Sequence, residues 1–509
     1  MLYRQNLTES VAYKYRVWAD PADAGRPLDG PIADFTPHPT GTPDKSYPGF
    51  IAPVLIPMDG FNHNPLGGYD PWLSSSATQS VGNNVDAYTD DDNPDGYSNG
   101  DIRALLTAPL TFDYTYDVSL EPQANTKQSM AALTQIFYTV NWLHDYWYDS
   151  GFDEAAGNAQ NNNFGRGGVG GDVLHAEGQD GAGIPESRNN ANMSTPADGA
   201  SPRMQMYLWS GLDTLDLKVQ PANTSIATNT AQFGAANFDL TADAILVDDG
   251  TAPNTDGCET ITNNLTGKIA LIDRGTCNFS AKAYNAQLAG AAGVIIINNV
   301  ANTTMPVMTA GANADLVTIP VLSTTLEAGN TLKTGLQSGP VGLRMTRQKA
   351  VERDGTIDNT VIAHEWGHYL HHRLVQCGLT QCGAMSEGWG DFNALQTILK
   401  QNDNLDGAYA LAIYTTVTFT NSPGYYGIRR YPYSIDTTKN ALTFKHVSNG
   451  VALPPGAGSA GGTNAEVHNA VRSGANTLFE GLVALLKESK AQNPRYTFEE
   501  ARRRMATTS

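Results

Sequence analysis

The sequence of 509 residues has no apolar run of the length, about 18 residues, that a membrane-spanning helix needs. Basic residues are also few, because 32 Lys and Arg stand against 51 Asp and Glu, for a formal net charge of -19. Nucleic acid and anionic lipid are bound through clustered Lys and Arg, so neither is an expected partner. Charged residues make up only 16%, below the roughly 25% of an average globular domain. This balance fits a soluble, secreted protein.

Cysteine is scarce, with four residues in two pairs that are close in sequence, Cys258 with Cys277 and Cys377 with Cys382. In an oxidising compartment each pair is expected to form a local disulfide, and four buried thiols in a cytosolic protein are the alternative. Neither pair has the C-x2-C spacing of a four-cysteine zinc site. The N-terminus lacks a basic segment followed by an apolar stretch, so a secretory signal peptide is absent from this chain.

Composition changes along the chain and indicates several parts. Residues 1–80 are rich in Pro, Gly, Asp and Asn and indicate a loosely ordered lead-in, and helical spacing of apolar residues predicts a helix over 129–151. Residues 212–345 alternate short β-rich runs with one helical segment, which predicts a small inserted α/β unit. A mainly helical part follows, with helices predicted at 356–375, 385–401, 464–488 and 496–506.

The most informative motif is His-Glu-Trp-Gly-His, in which His364 and His368 stand one helical turn apart. On a helix this spacing puts both imidazoles on one face, where they can bind one metal ion. Glu365 lies beside them and is the expected general base, taking a proton from the activated water. The alternative is a His-rich surface helix, to which His371 and His372 would also belong.

A catalytic zinc ion needs a third protein ligand and an open position for water. The longer motif HExxHxxGxxH does not continue here, because Leu374 stands where its third His would be. Glu387 follows His368 by 19 residues and supplies a carboxylate on the next predicted helix. Asp391, one turn further on, is placed to accept the other ring N–H of a liganding His. For both carboxylates, a solvated position on the helix is the alternative.

Hydrolysis also needs a donor for the negative charge that develops on the substrate carbonyl oxygen. His468, in the predicted helix 464–488, is the expected donor and the second catalytic residue, and an ordinary surface histidine is the alternative.

A second metal signal is weaker. The acidic stretch that begins at Asp91 and runs through Asp95 fits the first half of a calcium loop. Ile102 stands where such a loop has its bidentate Glu. One catalytic zinc ion is therefore the expected cofactor, and calcium competes with the alternative of a solvated acidic turn.

These motifs, with FYTVNWLHDYWYDSGFDEAAGNAQNNNFGRGGVGGD (137–172), resemble the fungalysin family of secreted zinc metalloendopeptidases. That family lies in the thermolysin-like group whose third ligand is Glu. The resemblance implies an α+β fold, a two-lobed thermolysin-like zincin domain with a mixed-sheet N-terminal lobe and a mainly helical C-terminal lobe.

The same resemblance implies substrate-binding residues. NNANMSTPADGASPRMQMYLW (189–209) is similar to the family's substrate-binding edge strand, where the backbone of Asn190 and Ala191 would pair with a peptide. RRYPYSIDTTKNALTF also matches a family block, and its Arg430, or the neighbouring Arg429, is the expected ligand of a substrate carbonyl.

TGKIALIDRGTCNFSAKAYNAQLAGAAGVIIINN (266–299) is similar to a protease-associated (PA) domain. The resemblance implies that Cys258 and Cys277 form its disulfide and that the domain binds or filters substrate or shields the cleft. An inert stability module is the alternative. Residues 1 to 60 resemble the end of the family's propeptide, which implies a mature enzyme that begins after Met1 and a propeptide that acts as its inhibitor.

Four parts are thus expected: a lead-in (1–80), an N-terminal catalytic lobe (81–211), an inserted PA domain (212–345) and a helical lobe with the metal site (346–509). The expected function is that of a monomeric, extracellular zinc endopeptidase that cleaves proteins or peptides. One alternative is an aminopeptidase with a PA domain, although two-zinc exopeptidases use bridging carboxylates rather than a single HExxH. The other is a peptide-binding protein that keeps zinc but does not turn over.

Overall fold

The computed structural model describes residues 12–184, 187–301, 305–306, 308–376, 378–448, 450–454, 463–464, 466–470 and 472–508. It contains both helices and sheets, as the sequence predicts. They form two compact units, one of Met1–Gly211 with Val351–Ser509 and one of Leu212–Ala350. Within the described residues, no helix is long and apolar enough to cross a membrane.

The N-terminal part of the first unit consists of short strands around one long helix. Its elements are β1 (Lys14–Val17), β2 (Ala19–Asp20), β3 (Arg26–Pro27), β4 (Val54–Pro57), β5 (Val85–Thr89), β6 (Thr111–Phe112), α1 (Thr126–Tyr148), β7 (Leu174–Asp180), β8 (Ala191–Ser194) and β9 (Arg203–Trp209). Helix α1 begins after Asn125, whose side chain accepts hydrogen bonds from the N–H groups of Lys127 and Gln128. It therefore starts and ends three residues earlier than the helix predicted over 129–151.

One sheet of this unit presents an edge strand. Strands β5, β7 and β9 run parallel, and β8 pairs antiparallel with β9, with Ala191 opposite Met206. In the part of the chain that the structure describes, β8 pairs with no other strand, so its second edge is open for pairing.

The second unit is a twisted sheet with helices packed on it. Its elements are β10 (Thr214–Gln220), β11 (Thr224–Ile226), β12 (Thr228–Thr230), β13 (Phe238–Leu246), β14 (Ile269–Asp273), α2 (Phe279–Leu288), β15 (Gly293–Ile297), β16 (Val321–Thr324), α3 (Leu326–Ser338) and β17 (Gly342–Gln348). Strands β13 to β16 are parallel neighbours, which requires crossover connections such as the one through α2 between β14 and β15.

Both faces of this sheet are covered. Along β14, Ile269 and Leu271 belong to one hydrophobic cluster, and Ala270 and Ile272 belong to another. Successive side chains of a strand point to opposite faces, so the sheet has a core on each side.

The unit also contains the expected disulfide between Cys258 and Cys277. Cys377, half of the second expected pair, lies outside the described residues.

The C-terminal part of the first unit is mainly helical. Its elements are β18 (Arg353–Asp354), α4 (Asn359–Leu374), α5 (Thr380–Ile398), α6 (Pro423–Tyr426), α7 (Val467–Ala470), α8 (Arg472–Ser489) and α9 (Phe498–Thr508). Helix α5 begins five residues before the predicted start at 385. The sequence did not indicate this start, because Leu379, which precedes the helix, has no side chain that can cap it.

Candidate metal centre

Helix α4 carries the two histidines of the motif. It begins after Asp358, whose side chain accepts hydrogen bonds from the N–H groups of Thr360 and Val361 at 3.1 and 3.3 Å. Such a cap satisfies backbone donors that a helix start leaves free. Four residues apart on this helix, His364 and His368 lie on the same face.

Helix α5 approaches α4 closely because both helices have glycine at the contact. A Cβ atom added to Gly367 would lie 2.6 Å from the Cα atom of Gly390. One added to Gly390 would lie 2.6 Å from Nδ1 of His364. Asn393 of α5 also donates from its side-chain amide to the carbonyl of Ala363. The contact brings the carboxylates of α5 next to the imidazoles of α4.

Three donor groups meet at the centre of this contact. The Nε2 atoms of His364 and His368 are 3.0 Å apart. The carboxylate of Glu387 faces both, with one oxygen 3.4 Å from Nε2 of His364 and the other 3.7 Å from Nε2 of His368. Two imidazole nitrogens and a carboxylate are a donor set for a divalent metal such as zinc.

The outer nitrogens of both rings already have partners. Nδ1 of His364 lies 2.9 Å from a carboxylate oxygen of Asp391, and Nδ1 of His368 lies 2.7 Å from the hydroxyl of Ser386. When Nδ1 donates a proton to such a partner, Nε2 keeps its lone pair for a metal. The four residues therefore set the tautomer that a metal centre requires.

Arg429 and Tyr433 hold Asp391 in place. Arg429 donates two hydrogen bonds to its carboxylate, at 2.6 and 2.7 Å, and a third to Glu387 at 3.3 Å. The hydroxyl of Tyr433 donates to the same carboxylate. Burial raises the pKa of Asp391, but the charge of Arg429 and the hydrogen bond from His364 outweigh burial and hold the pKa below its usual range. Asp391 therefore stays ionised.

The electrostatics of the two rings match a bound cation. Burial lowers the pKa of His364, but its hydrogen bonds to Asp391 and Glu387 outweigh burial and raise the pKa to about 10. Burial and the charge of His364 lower the pKa of His368 to about 3. The surrounding carboxylates thus stabilise positive charge between the rings, although two protons do not fit there. A divalent ion between the two Nε2 atoms, in place of the single proton that the rings can hold there, fits these residues.

Glu365 lies beside the histidines of the donor set. It is 4% exposed, and one of its carboxylate oxygens is buried without a hydrogen-bond partner. Its nearest donor oxygen lies within 4.8 Å of both histidine donors. Burial raises the pKa of Glu365 to about 7. A buried carboxylate with a free oxygen can accept a proton from a reacting group beside the metal.

His468 also reaches the centre. Its Nε2 lies 3.2 Å from a carboxylate oxygen of Glu387, and its Nδ1 lies 2.5 Å from Glu466. The hydrogen bond to Glu387 is the main reason why the pKa of His468 is raised. His468 lines the same cleft as the histidines of α4.

The centre opens into a cleft of about 560 Å³ in the first unit. Asn190 and Ala191, at the start of β8, line this cleft together with the histidines of α4. Arg429 lines it too, whereas Arg430 instead has its Nε 3.4 Å from the side-chain oxygen of Asn469. Every residue expected at the metal thus lies in one place, and of the two adjacent arginines it is Arg429 that touches the metal-centre carboxylates.

Sequence reasoning missed Ser386 and Tyr433. Ser386 directly precedes Glu387, so a hydroxyl next to the proposed ligand was the only signal in the sequence. Tyr433 reaches Asp391 from 42 residues further along the chain, and no spacing rule connects the two.

Metallopeptidases are the class of protein that fits this site, because they combine a helix bearing HExxH with a carboxylate from elsewhere in the chain. The family description "Fungalysin metallopeptidase (M36)" matches residues 60–506. The chain belongs to this family, which confirms the resemblance seen in the sequence.

Curated relatives have names of the same kind. "Extracellular metalloproteinase 2" of Arthroderma gypseum is 45% identical over 134 residues, which are 26% of this chain and 20% of the relative. "Extracellular metalloproteinase 9" of Uncinocarpus reesii is 27% identical over 389 residues, which are 74% of this chain and 37% of the relative. The chain therefore spans well under half of the length of these relatives.

Similarity to solved structures is slight. An aminopeptidase from Aneurinibacillus sp. strain AM-1 has a TM-score of 0.22 and 25% identity, over 30% of this chain and 35% of that chain. A TM-score of this size says nothing about the fold or the function of the chain.

Proposed function

We propose that this protein is a secreted zinc endopeptidase that hydrolyses peptide bonds in proteins. The observation that carries the proposal is the meeting of two Nε2 atoms, 3.0 Å apart, with the carboxylate of Glu387, while Asp391 and Ser386 occupy the outer nitrogens. Membership of the fungalysin metallopeptidases and the extracellular names of relatives support it.

His364, His368 and Glu387 would hold the zinc ion. When bound, zinc supplies a Lewis acid that activates a water molecule and polarises the scissile carbonyl. Asp391 and Ser386 keep the two rings in the ligand tautomer, and such outer partners typically change metal affinity by about 10- to 100-fold.

Glu365 would be the general base. Its unpartnered, buried oxygen lies beside the ligand nitrogens, so it can take the proton from the attacking water and pass it to the leaving amine. Burial excludes competing water from this carboxylate.

His468 would stabilise the oxyanion that forms on the carbonyl. Its ring reaches the site from α7, with Nε2 3.2 Å from a carboxylate oxygen of Glu387. Removal of a comparable donor costs about 3 kcal/mol of transition-state stabilisation. Arg429, a buried cation that lines the cleft, would bind a substrate carbonyl next to the cleavage site, a role for which the family resemblance leaves Arg430 and Arg429 as alternatives.

The open edge of β8 would bind the peptide. Strand β8 borders the cleft, and its start at Asn190 and Ala191 can pair its backbone with an extended substrate. Backbone pairing accepts many side chains, which suits an endopeptidase.

The finer architecture is also part of the proposal. Residues 81–211 and 346–509 would form the two lobes of a thermolysin-like domain, and 212–345 would be an inserted PA domain. The lead-in would include the end of a propeptide that inhibits the enzyme before its removal, and the mature enzyme would act outside the cell as a monomer.

A casein digest with the processed chain, from which the proposed propeptide has been removed, and with its Glu365→Gln variant tests the proposal. We expect one zinc per chain in both proteins and a loss of turnover of about 100- to 10,000-fold in the variant, because general base catalysis contributes that much. Glu488→Gln, a change at an exposed glutamate of α8, is the matched control and should keep full activity.

Zinc in both proteins without turnover in either would show a peptide-binding protein instead. Absence of zinc from the active protein would overturn the metal assignment.

A further inference from the structure

A second group of carboxylates lies in the first unit, and none of its members lines the cleft. We call it the acidic cluster; it consists of Asp90, Asp95, Glu177 and Asp180. One carboxylate oxygen from each member lies within 4.8 Å of the others. The cluster forms where the parallel strands β5 and β7 end, because Asp90 directly follows β5 and Asp180 is the last residue of β7.

Glu177 gives the cluster a buried carboxylate oxygen without a hydrogen-bond donor. Its side chain is completely buried, and one oxygen accepts a hydrogen bond from the hydroxyl of Tyr88 at 2.8 Å. The other oxygen, Oε2, is buried and has no hydrogen-bond partner. The guanidinium Nε of Arg203 lies 3.7 Å from it, beyond hydrogen-bond distance, and this Nε is itself without a hydrogen bond. A buried carboxylate oxygen without a donor is unfavourable unless a cation binds it.

Charge around the cluster is unbalanced. Arg203 contacts Asp95, and the side-chain amide of Gln205 donates to Asp95 at 2.9 Å and to Asp180 at 2.6 Å. The N–H of Gly96 donates to one oxygen of Asp90 at 2.6 Å. Arg203 thus supplies a single positive charge against four carboxylates, and the other donors are neutral.

The titration of the cluster agrees with this imbalance. Burial raises the pKa of Glu177 to about 8, that of Asp180 to about 7 and that of Asp90 to about 6. The chain alone therefore does not stabilise these carboxylates in their ionised form.

We propose that the acidic cluster binds one calcium ion. All of its donors are oxygens, which hard cations prefer, whereas zinc prefers nitrogen and sulfur. Calcium accepts six to eight oxygens in irregular geometry, and four carboxylates with added water meet that need better than the strict octahedron of magnesium.

The bound ion would fasten the loop after β5 to the end of β7. The chain continues from β7 into β8, so calcium would stabilise the part of the sheet that leads to the open edge. The site differs from the calcium loop suggested by the sequence, because Asp91 accepts a hydrogen bond from Gln123 and is not in the cluster, whereas Asp95 is.

Isothermal titration calorimetry with calcium chloride tests the proposal on the full, zinc-loaded chain. The Glu365→Gln background prevents self-digestion, and the readout does not depend on peptidase activity. We expect one calcium per chain and a rise in the midpoint of thermal unfolding when calcium is added.

Two variants and one control assign the site. Glu177→Gln and Asp95→Asn should each weaken calcium binding by at least about tenfold, since calcium affinity follows the number of charged ligands. Asp95 has a half-exposed side chain, so its variant keeps the test valid if Glu177→Gln does not fold. Asp92→Asn removes the same charge from an exposed neighbour outside the cluster and should leave affinity unchanged.

No calcium binding, equal loss in Asp92→Asn, or unchanged binding in folded Asp95→Asn would each overturn the proposal. If the parent chain, with Glu365 in place, holds no zinc or shows no turnover while calcium still binds at the cluster, the proposed function is overturned and this site still stands.

Discussion

Arg429 and Arg430 are neighbours in the chain but have different surroundings. Arg429 is 5% exposed and donates hydrogen bonds to both Asp391 and Glu387. Arg430 donates to Asn469 instead. Arg429 is therefore placed to influence both the metal ligand Glu387 and its supporting carboxylate Asp391.

Replacement of each arginine by lysine separates these roles. We expect Arg429→Lys to lower kcat/KM by about tenfold or more, because a lysine cannot reproduce a planar fork of hydrogen bonds to two carboxylates. Arg430→Lys is the matched control and should change kcat/KM by less than about twofold. Equal effects of the two substitutions on kcat/KM, or a larger effect of Arg430→Lys, would favour Arg430 as the substrate-binding residue.

For single residues, the spacing in the sequence predicts which side chains of a helix lie together. The spacing of His364 and His368 predicts a shared face because helix geometry fixes which side chains of one helix lie together. The position of Glu387 opposite them depends on how α5 packs on α4. The roles of Ser386 and Arg429 depend on how separate elements pack, and no local pattern contains that information.

The contact between α4 and α5 is the element on which the metal centre depends. It has glycine on both sides, and an added methyl group at Gly390 would collide with the ring of His364. Backbones that approach so closely leave no room for a side chain.

Gly390→Ala should therefore damage the metal centre although alanine favours helix formation. We expect zinc content to fall below half of one ion per chain, or a loss of affinity of at least about tenfold. Gly383→Ala on the same helix is the control, since its new methyl group would meet Val467 at an ordinary 3.6 Å. Full zinc content in Gly390→Ala would show that the two helices can move apart without loss of the site.

Element boundaries were only partly predictable. The start of α1 follows from the capping side chain of Asn125, which sits among other polar residues and does not stand out in the sequence. Helix α5 has no such cap at all, so apolar spacing alone placed its start too late. Strand pairing depends on distant segments, as in β12 with β16, and could not be predicted locally.

Across the whole molecule, buried carboxylates away from the metal affect stability. Asp29 is 4% exposed, accepts a hydrogen bond from Thr36 at 3.1 Å and has a second oxygen without a partner. Burial raises its pKa to about 7, with Lys400 opposing the shift and Asp34 adding to it.

A raised carboxyl pKa makes the folded state bind the proton more tightly than the unfolded state. Stability from this group is present below about pH 4 and is lost as pH rises towards 7. Asp29→Asn removes this loss of stability at higher pH. The free energy of unfolding of the variant minus that of the parent should therefore increase by about 2 to 3 kcal/mol from pH 5 to pH 8. Urea unfolding at both pH values measures it, and parallel pH profiles would contradict it.

The composition change at residues 212 and 345 lies at or near the ends of the second compact unit, Leu212–Ala350. Domain-scale division is visible in sequence because an α/β unit has its own alternation of strands and helices. The order of eight strands in its sheet is not visible, since it arises from long-range pairing.

The most direct measurement is anomalous diffraction at the zinc absorption edge from crystals of the active protein. We expect one strong peak in the first unit, from a zinc ion bound by Nε2 of His364, Nε2 of His368 and the carboxylate of Glu387. A peak elsewhere, or zinc at this place with Glu387 turned away from it, would contradict the account.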